Sequence, residues 1–252
     1  VNYAYSKKCV ILAAAGNNNS NVAGFTPANI VNVIAVSDST QKDEKCSFSN
    51  WGNKIDVAAP GGGYENELGH GKFDMYNILS TMPDKSNTAY FYPMFKVSKN
   101  YYRLAGTSMA CPHAAGVASL ILSRNPSLSN EDTRLILRNC VDNLVNNPKS
   151  GIYFGRGRIN AYKAISAQIT PTSPTNLTTT FTSMNEVNLK WQDNSVNEAG
   201  FKIERSQDNS TFAQIAYTDH DITAYSYILS NPPTTTYYYR VRAFNVAGSS
   251  GY

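Results

Sequence analysis

Residues 106–122 read GTSMACPHAAGVASLIL and set one serine, Ser108, between a Gly-Thr turn and the first turn of an apolar helix. The first N–H groups of a helix have no intrahelical acceptor and face the positive end of its dipole, so negative charge developing beside Ser108 would be stabilised there. That is the setting a nucleophilic hydroxyl needs to attack a carbonyl carbon and leave an oxyanion behind. Gly106 keeps the approach free of a side chain, and Ala110, Ala114, Ala115, Gly116 and Ala118 let the helix lie close against a sheet. The same serine could also be a simple N-cap. Two neighbours compete with it or could assist it. His113 follows by five residues, which turns its side chain about 140° away around the helix, so it reads as structural and not as a base for Ser108. Cys111, on a neighbouring face, is the rival nucleophile.

The elements that must position this serine are visible as short apolar runs. Residues 10–14, 31–36, 55–59 and 78–82 are bounded by Asn, Gly or Pro and suit strands buried on both faces. Two helical stretches follow. One runs from about Ser108 to Arg124, before Pro126; the other has Ser129 as N-cap with Asp132 three residues on and reaches about Asp142. Strands with connections too long for hairpins, followed by helices, predict an α/β domain with a mainly parallel sheet and flanking helices.

The pattern changes near Gln168. The string ITPTSPT begins at Ile169 and carries two prolines, and a linker is expected over residues 168–174. Beyond it the period is two: Val187, Leu189 and Trp191 share one face, Phe201 and Ile203 another, and Tyr237, Tyr239, Val241 and Ala243 a third. Lys190, Lys202, Glu204, Arg240 and Arg242 fall in the alternating, exposed positions, which predicts an all-β antiparallel sandwich over residues 175–252.

Composition narrows the functions. The 252 residues carry a formal charge of +4 spread without a basic block, so nucleic acid is not expected as a partner. No apolar run approaches the ~20 residues of a membrane helix, so no membrane span is expected. Cys9, Cys46, Cys111 and Cys140 show no C-x-x-C spacing for zinc and are too sparse for a disulfide scaffold. Val1 is preceded by no signal segment, which reads as a chain that starts inside something longer or has been processed.

GTSMACPH resembles the nucleophile string G-T-S-M-A-x-P-H of the subtilisin-like serine proteases, the subtilases (peptidase S8 type). The resemblance extends over about residues 8–167. It includes Ser47, Phe48, Ser49 and Asn50 with Gly52, the string from Asp56 to Gly61, and the ending Gly157, Arg158, Ile159, Asn160, Ala161, all scaffold. It implies that residues 1–167 are the C-terminal part of a subtilisin-like domain. Ser108 would then form the acyl-enzyme and Asn17, after A-A-A-G, would donate to the oxyanion. Read from the residues alone, Asn17 is equally a turn former, with Asn18 and Asn19 beside it. The resemblance further implies that Ala13, Ala14, Ala15, Gly16 and Thr107 contact substrate, and that Thr26, Pro27 and Ala28 shape the pocket floor, with Pro27 a candidate cis residue. No cofactor is required; calcium often stabilises the family, but no ligand set can be assigned here. His70 falls in an insertion over residues 64–77 and reads as a solvated loop histidine.

The family's D-T/S-G and H-G-T strings, which carry the triad aspartate and histidine, do not occur, so the chain is expected to be an incomplete serine endopeptidase acting on proteins or peptides. The stretches WQDNSVNEAGFKIERS and TTTYYYRVRAFNVAG resemble a fibronectin type III domain, with Trp191 as its core tryptophan and Tyr237 as its corner tyrosine. Its last strand, after the turn at 245–251, is expected to be missing. Such a module implies a protein that is secreted or at the cell surface, with a surface or protein partner. The alternative reading is a non-catalytic subtilase-like scaffold presenting a fibronectin-like adhesion module.

Overall fold

The structure is a computed structural model that describes the chain except residues 64–75, 84–95, 145–148, 167–169, 184 and 230–235. Contacts divide it into two compact units, Val1–Leu120 with Val141–Ala161, and Ile121–Cys140 with Tyr162–Tyr252.

The first unit opens with a short helix α1 (Asn2–Ser6) and is built on a five-stranded sheet of β1 (Leu12–Ala14), β2 (Ile34–Ser39), β3 (Val57–Pro60), β8 (Arg158–Ile159) and β7 (Val141–Asp142), in that order. β1, β2, β3 and β8 run parallel and β7 antiparallel at the edge; the register sets Ala14 beside Val36 and Val36 beside Val57. The apolar runs form these strands because both faces are covered: every residue of β2 is buried. Ala13, Ala15, Val22, Ala28, Val33, Ala35 and Ile55 make one buried cluster. The Thr26–Pro27 bond is cis, as the sequence suggested.

The run at 78–82 corrects an expectation. It is not a buried parallel strand: β4 (Ile78–Thr81) belongs to a separate antiparallel sheet with β5 (Lys96–Ser98) and β6 (Tyr101–Leu104), and Leu79 is 50% exposed. Its apolar residues are too few and too interrupted by Ser80 and Thr81 to be covered on two faces. Helix α2 (Thr107–Arg124) starts one residue before Ser108, and Ala110, Ala114 and Ala118 are buried in it. Pro112 lies inside it and has no N–H to give the Ser108 carbonyl one turn back. A helix α4 (Ser150–Phe154) precedes β8, and α5 (Ala161–Ile165) follows it.

In the second unit α3 (Asn130–Asn139) carries the expected capping box: Ser129 Oγ accepts from Asp132 N and Asp132 Oδ2 accepts from Ser129 N. It ends three residues earlier than the sequence suggested, because Val141 and Asp142 leave it to pair with β8. The rest of the unit is two antiparallel sheets. One orders β13 (Ala224–Ile228), β10 (Glu186–Gln192) and β9 (Thr175–Ser183). The other orders β12 (Ala213–Asp219), β11 (Gly200–Ser206), β14 (Tyr238–Asn245) and β15 (Gly248–Ser249). Val187, Leu189 and Trp191 from one sheet and Phe201, Ile203, Val241 and Ala243 from the other share one buried cluster, with Trp191 and Phe201 ring centroids 5.5 Å apart.

Inside the turn at 245–251 two residues, β15, pair with Phe244 and Asn245. One expectation changes here. Lys202 and Glu204 are buried, not exposed, because the second face of β11 is covered too. Lys202 meets Asp132 at 2.7 Å as an ion pair and lies over the Phe244 ring, while Glu204 is gripped by Arg240 and Arg242.

Candidate active site

The site forms where the parallel strands β1 and β3 end, the edge at which open α/β sheets place their ligands. After β1 the chain runs through Ala15 and Gly16 to Asn17; after β3 it runs into Gly61; both segments are hydrogen-bonded to the start of α2. Gly106 N donates to Gly61 O at 2.9 Å. Thr107 N and Thr107 Oγ1 both donate to Asn17 Oδ1, at 3.0 and 2.9 Å, and Gly16 N donates to Thr107 Oγ1 at 3.1 Å.

This pairing determines what Asn17 can do. Two donors fix its side-chain oxygen, so the amide NH2 is the end left to face outward. A methyl group placed on Gly106 would come within 3.2 Å of Asn17 Nδ2 and 3.7 Å of Ser108 N, so both donors border the same small volume, kept open by the glycine. Ser108 N is in the first helical turn, where no intrahelical acceptor exists. Two N–H donors around one point are the arrangement that stabilises a developing oxyanion. Ser108 and Asn17 are both exposed.

Of the other residues predicted for the site, Thr107 is fully buried, its hydroxyl and N–H engaged with Asn17 and Gly16, so it positions the site from beneath. Ala13 and Ala15 are buried and Ala14 and Gly16 partly so. The segment is held by a residue taken from the sequence as scaffold only. Asn50, fully buried, donates from Nδ2 to Ala15 O at 2.8 Å and accepts on Oδ1 from Asn18 N and Ser20 N, each at 3.0 Å, while its own N–H donates to Gly16 O. No local signal could have singled it out, because its partners lie 30–35 residues away.

Ser108 also opens on a cavity of about 510 Å3 lined by Met109, Pro112, His113 and Leu120 of α2 and by Ile78 and Leu79 of β4. His113 shares this wall, yet its Nδ1 lies 2.8 Å from Met109 O of its own helix. His220 is paired with Asp221, and His70 lies outside the described residues. Burial pushes the Cys111 thiol up and away from the thiolate. Among the described residues three acidic groups come close enough to share an ion only at Asp193, Glu198 and Asp221, in the second unit.

With this geometry in view, the similarities to known proteins are specific. The subtilase family model matches residues 1–157. Over 165 residues the chain is 40% identical to thermitase of Thermoactinomyces vulgaris, covering 66% of this chain and 47% of that protein. It is 37% identical over 170 residues to an extracellular protease of Xanthomonas campestris pv. campestris, covering 67% of this chain and 25% of that protein. Among solved structures, a protease from Pseudoalteromonas arctica PAMC 21717 superposes with a TM-score of 0.55 at 32% identity, covering 66% of this chain and 44% of that one. The chain thus spans about half the length of thermitase, or less of other relatives. The match over residues 1–157 contains every residue of the Ser108 site, and the chain belongs to the subtilase family.

Proposed function

We propose that the parent protein is a serine endopeptidase in which Ser108 Oγ attacks the carbonyl carbon of a peptide bond. The carbonyl oxygen takes up the negative charge between Asn17 Nδ2 and Ser108 N, the amine leaves with a proton, and water then hydrolyses the acyl-serine. The base that takes the Ser108 proton, and the carboxylate that orients it, come from the half of the catalytic domain that thermitase has and this chain does not span. The single observation that carries the reading is the pairing of Asn17 Oδ1 with Thr107, which aims the amide donor at the helix start. Loss of one such donor costs about 10²–10³-fold in rate, a magnitude measured on subtilisin, a member of this family.

The proposal extends to organisation. Residues 1–167 are the C-terminal part of the protease domain, 168–174 the linker and 175–252 a fibronectin type III-like module that engages a surface or protein partner. Two antiparallel sheets closing on Trp191 support the last point. The relative named an extracellular protease supports export.

The test is a fluorophosphonate probe on the full-length parent protein. Ser108 is expected to be the labelled residue, Ser108→Ala to abolish labelling, and Asn17→Ala to slow it ~10²-fold or more. A folded full-length protein that labels elsewhere or not at all would refute the assignment.

A further inference from the structure

Asp38 is the fifth residue of β2, fully buried, and neither carboxylate oxygen has a hydrogen-bond partner among the described residues. Its carboxyl lies flat against Gly61: a methyl on that glycine would fall 2.5–2.6 Å from Cγ, Oδ1 and Oδ2. Two arms leave this point toward the site. Through Gly61 O it reaches Gly106 N, at the turn before Ser108. Through its own N–H, which donates to Ser49 Oγ at 3.0 Å, it reaches Asn50, whose O accepts from that hydroxyl and whose side chain holds the Ala15–Ser20 segment.

We infer that Asp38 is a positioning residue of the Ser108–Asn17 site that serves as the neutral acid, and that its ionisation sets an alkaline limit on that site. The inference rests on the hydrolase reading and adds a control to it. An unpaired carboxylate is costly in a dry interior, whereas the protonated acid is tolerated. Burial pushes the Asp38 carboxyl up to about 8, opposed in second place by the Gly61 N–H, which itself donates to Ser39 O at 3.4 Å. The flanking strands β1 and β3 offer no charge beside it. Charged groups on adjoining segments are engaged elsewhere: Asp56 with Lys54, Asp43 and Asp142 with Arg158, and Lys45 with Asn19. Glu44 is exposed, and the buried Cys46 thiol packs toward Gly63. Once ionised, the carboxylate competes with Ser39 O for the N–H of Gly61. No side chain on Gly61, Gly62 or Gly63 resists the movement of that N–H, and the bond from Gly106 to Gly61 loosens with it.

The sign follows from linkage. The folded-state value lies above the ordinary 3.8, so the stabilising contribution is complete below 3.8 and is lost as the pH rises toward about 8. Three measurements test this. The carboxyl 13C shift of Asp38 in the wild-type chain is expected to titrate near pH 8; a midpoint near 4 would overturn the inference without any variant. The unfolding constant of the wild type relative to Asp38→Asn is expected to rise up to tenfold per pH unit between about 4 and 8 and then level; a flat ratio would overturn it. In the full-length protein the fluorophosphonate rate of the wild type, relative to Asp38→Asn, is expected to fall about fivefold from pH 7 to 9.5, the loss of one hydrogen bond, and parallel profiles would overturn it. A wild type that labels at no pH would instead sink the hydrolase reading, and the carboxyl midpoint would still decide whether Asp38 keeps its proton.

Discussion

Asn50→Ala is the sharpest perturbation of the site that leaves both Ser108 and Asn17 in place. It removes three side-chain hydrogen bonds, to Ala15 O, Asn18 N and Ser20 N. Their costs differ. Ala15 is fully buried, so its carbonyl would lose its Asn50 partner out of reach of bulk water, at about 1–3 kcal/mol. Asn18 is exposed and Ser20 partly so; water can replace the lost acceptor, and each costs about 0.5 kcal/mol. The expected total is about 2–4 kcal/mol, an increase of roughly 30- to 1,000-fold in the unfolding constant of the parallel-sheet unit. With a urea slope of about 2 kcal/mol/M, the midpoint should fall by about 1–2 M. Amide exchange separates this from a general loosening, because Asn18 and Ser20 should lose protection before the β2 amides do. In the full-length protein the Ser108 labelling rate should drop as well, since the Asn17 segment is no longer held from below. A loss under about 0.5 kcal/mol with unchanged exchange at Asn18 and Ser20 would refute the reasoning. The Gly16–Thr107–Asn17 bonds would then be sufficient to hold the segment.

The remaining predictions concern charge and thiols. Lys202→Met leaves Asp132 buried without its ion-pair partner and should destabilise the second unit by about 3–5 kcal/mol; adding Asp132→Asn, which removes the charge and keeps an acceptor for the Ser129 N–H, should restore part of that, and a double-mutant cycle in urea measures the difference. Of the four cysteines, none in a disulfide, the exposed Cys9 should react quickly with a thiol reagent at pH 8. Cys46 is buried, and burial pushes the Cys111 thiol up and the Cys140 thiol to about 11, so all three should react slowly in the folded chain, and two or more fast thiols would contradict this.

How much of this was legible in the amino-acid string depended on range. Ser108 at a helix start was readable because its signals are adjacent: a Gly-Thr turn before it and small apolar residues after it. The Ser129–Asp132 capping box was readable for the same reason. Asn17 could be proposed only through the resemblance, since what orients its amide is Thr107, 90 residues away, and nothing near Asn17 distinguishes it from Asn18 or Asn19. Asn50 was hidden for the same reason, with partners 30–35 residues away.

The misplacement of Lys202 and Glu204 and the silence of the sequence about Asp38 share a further cause. Alternation assigns polar residues of a strand to water, and that holds when one face is open. β2 lies between β1 and β3 and is buried along its length, and β11 lies between β12 and β14 with its second face covered. A polar residue there is buried whichever way it points, and its neighbours then decide its chemistry. Lys202 and Glu204 found opposite charges and became ion pairs. Asp38 found only a serine hydroxyl, engaged with its backbone, and a glycine. That difference in partners, absent from any local pattern, is why two of these residues reinforce the fold while the third carries a proton-dependent strain toward the Ser108 site.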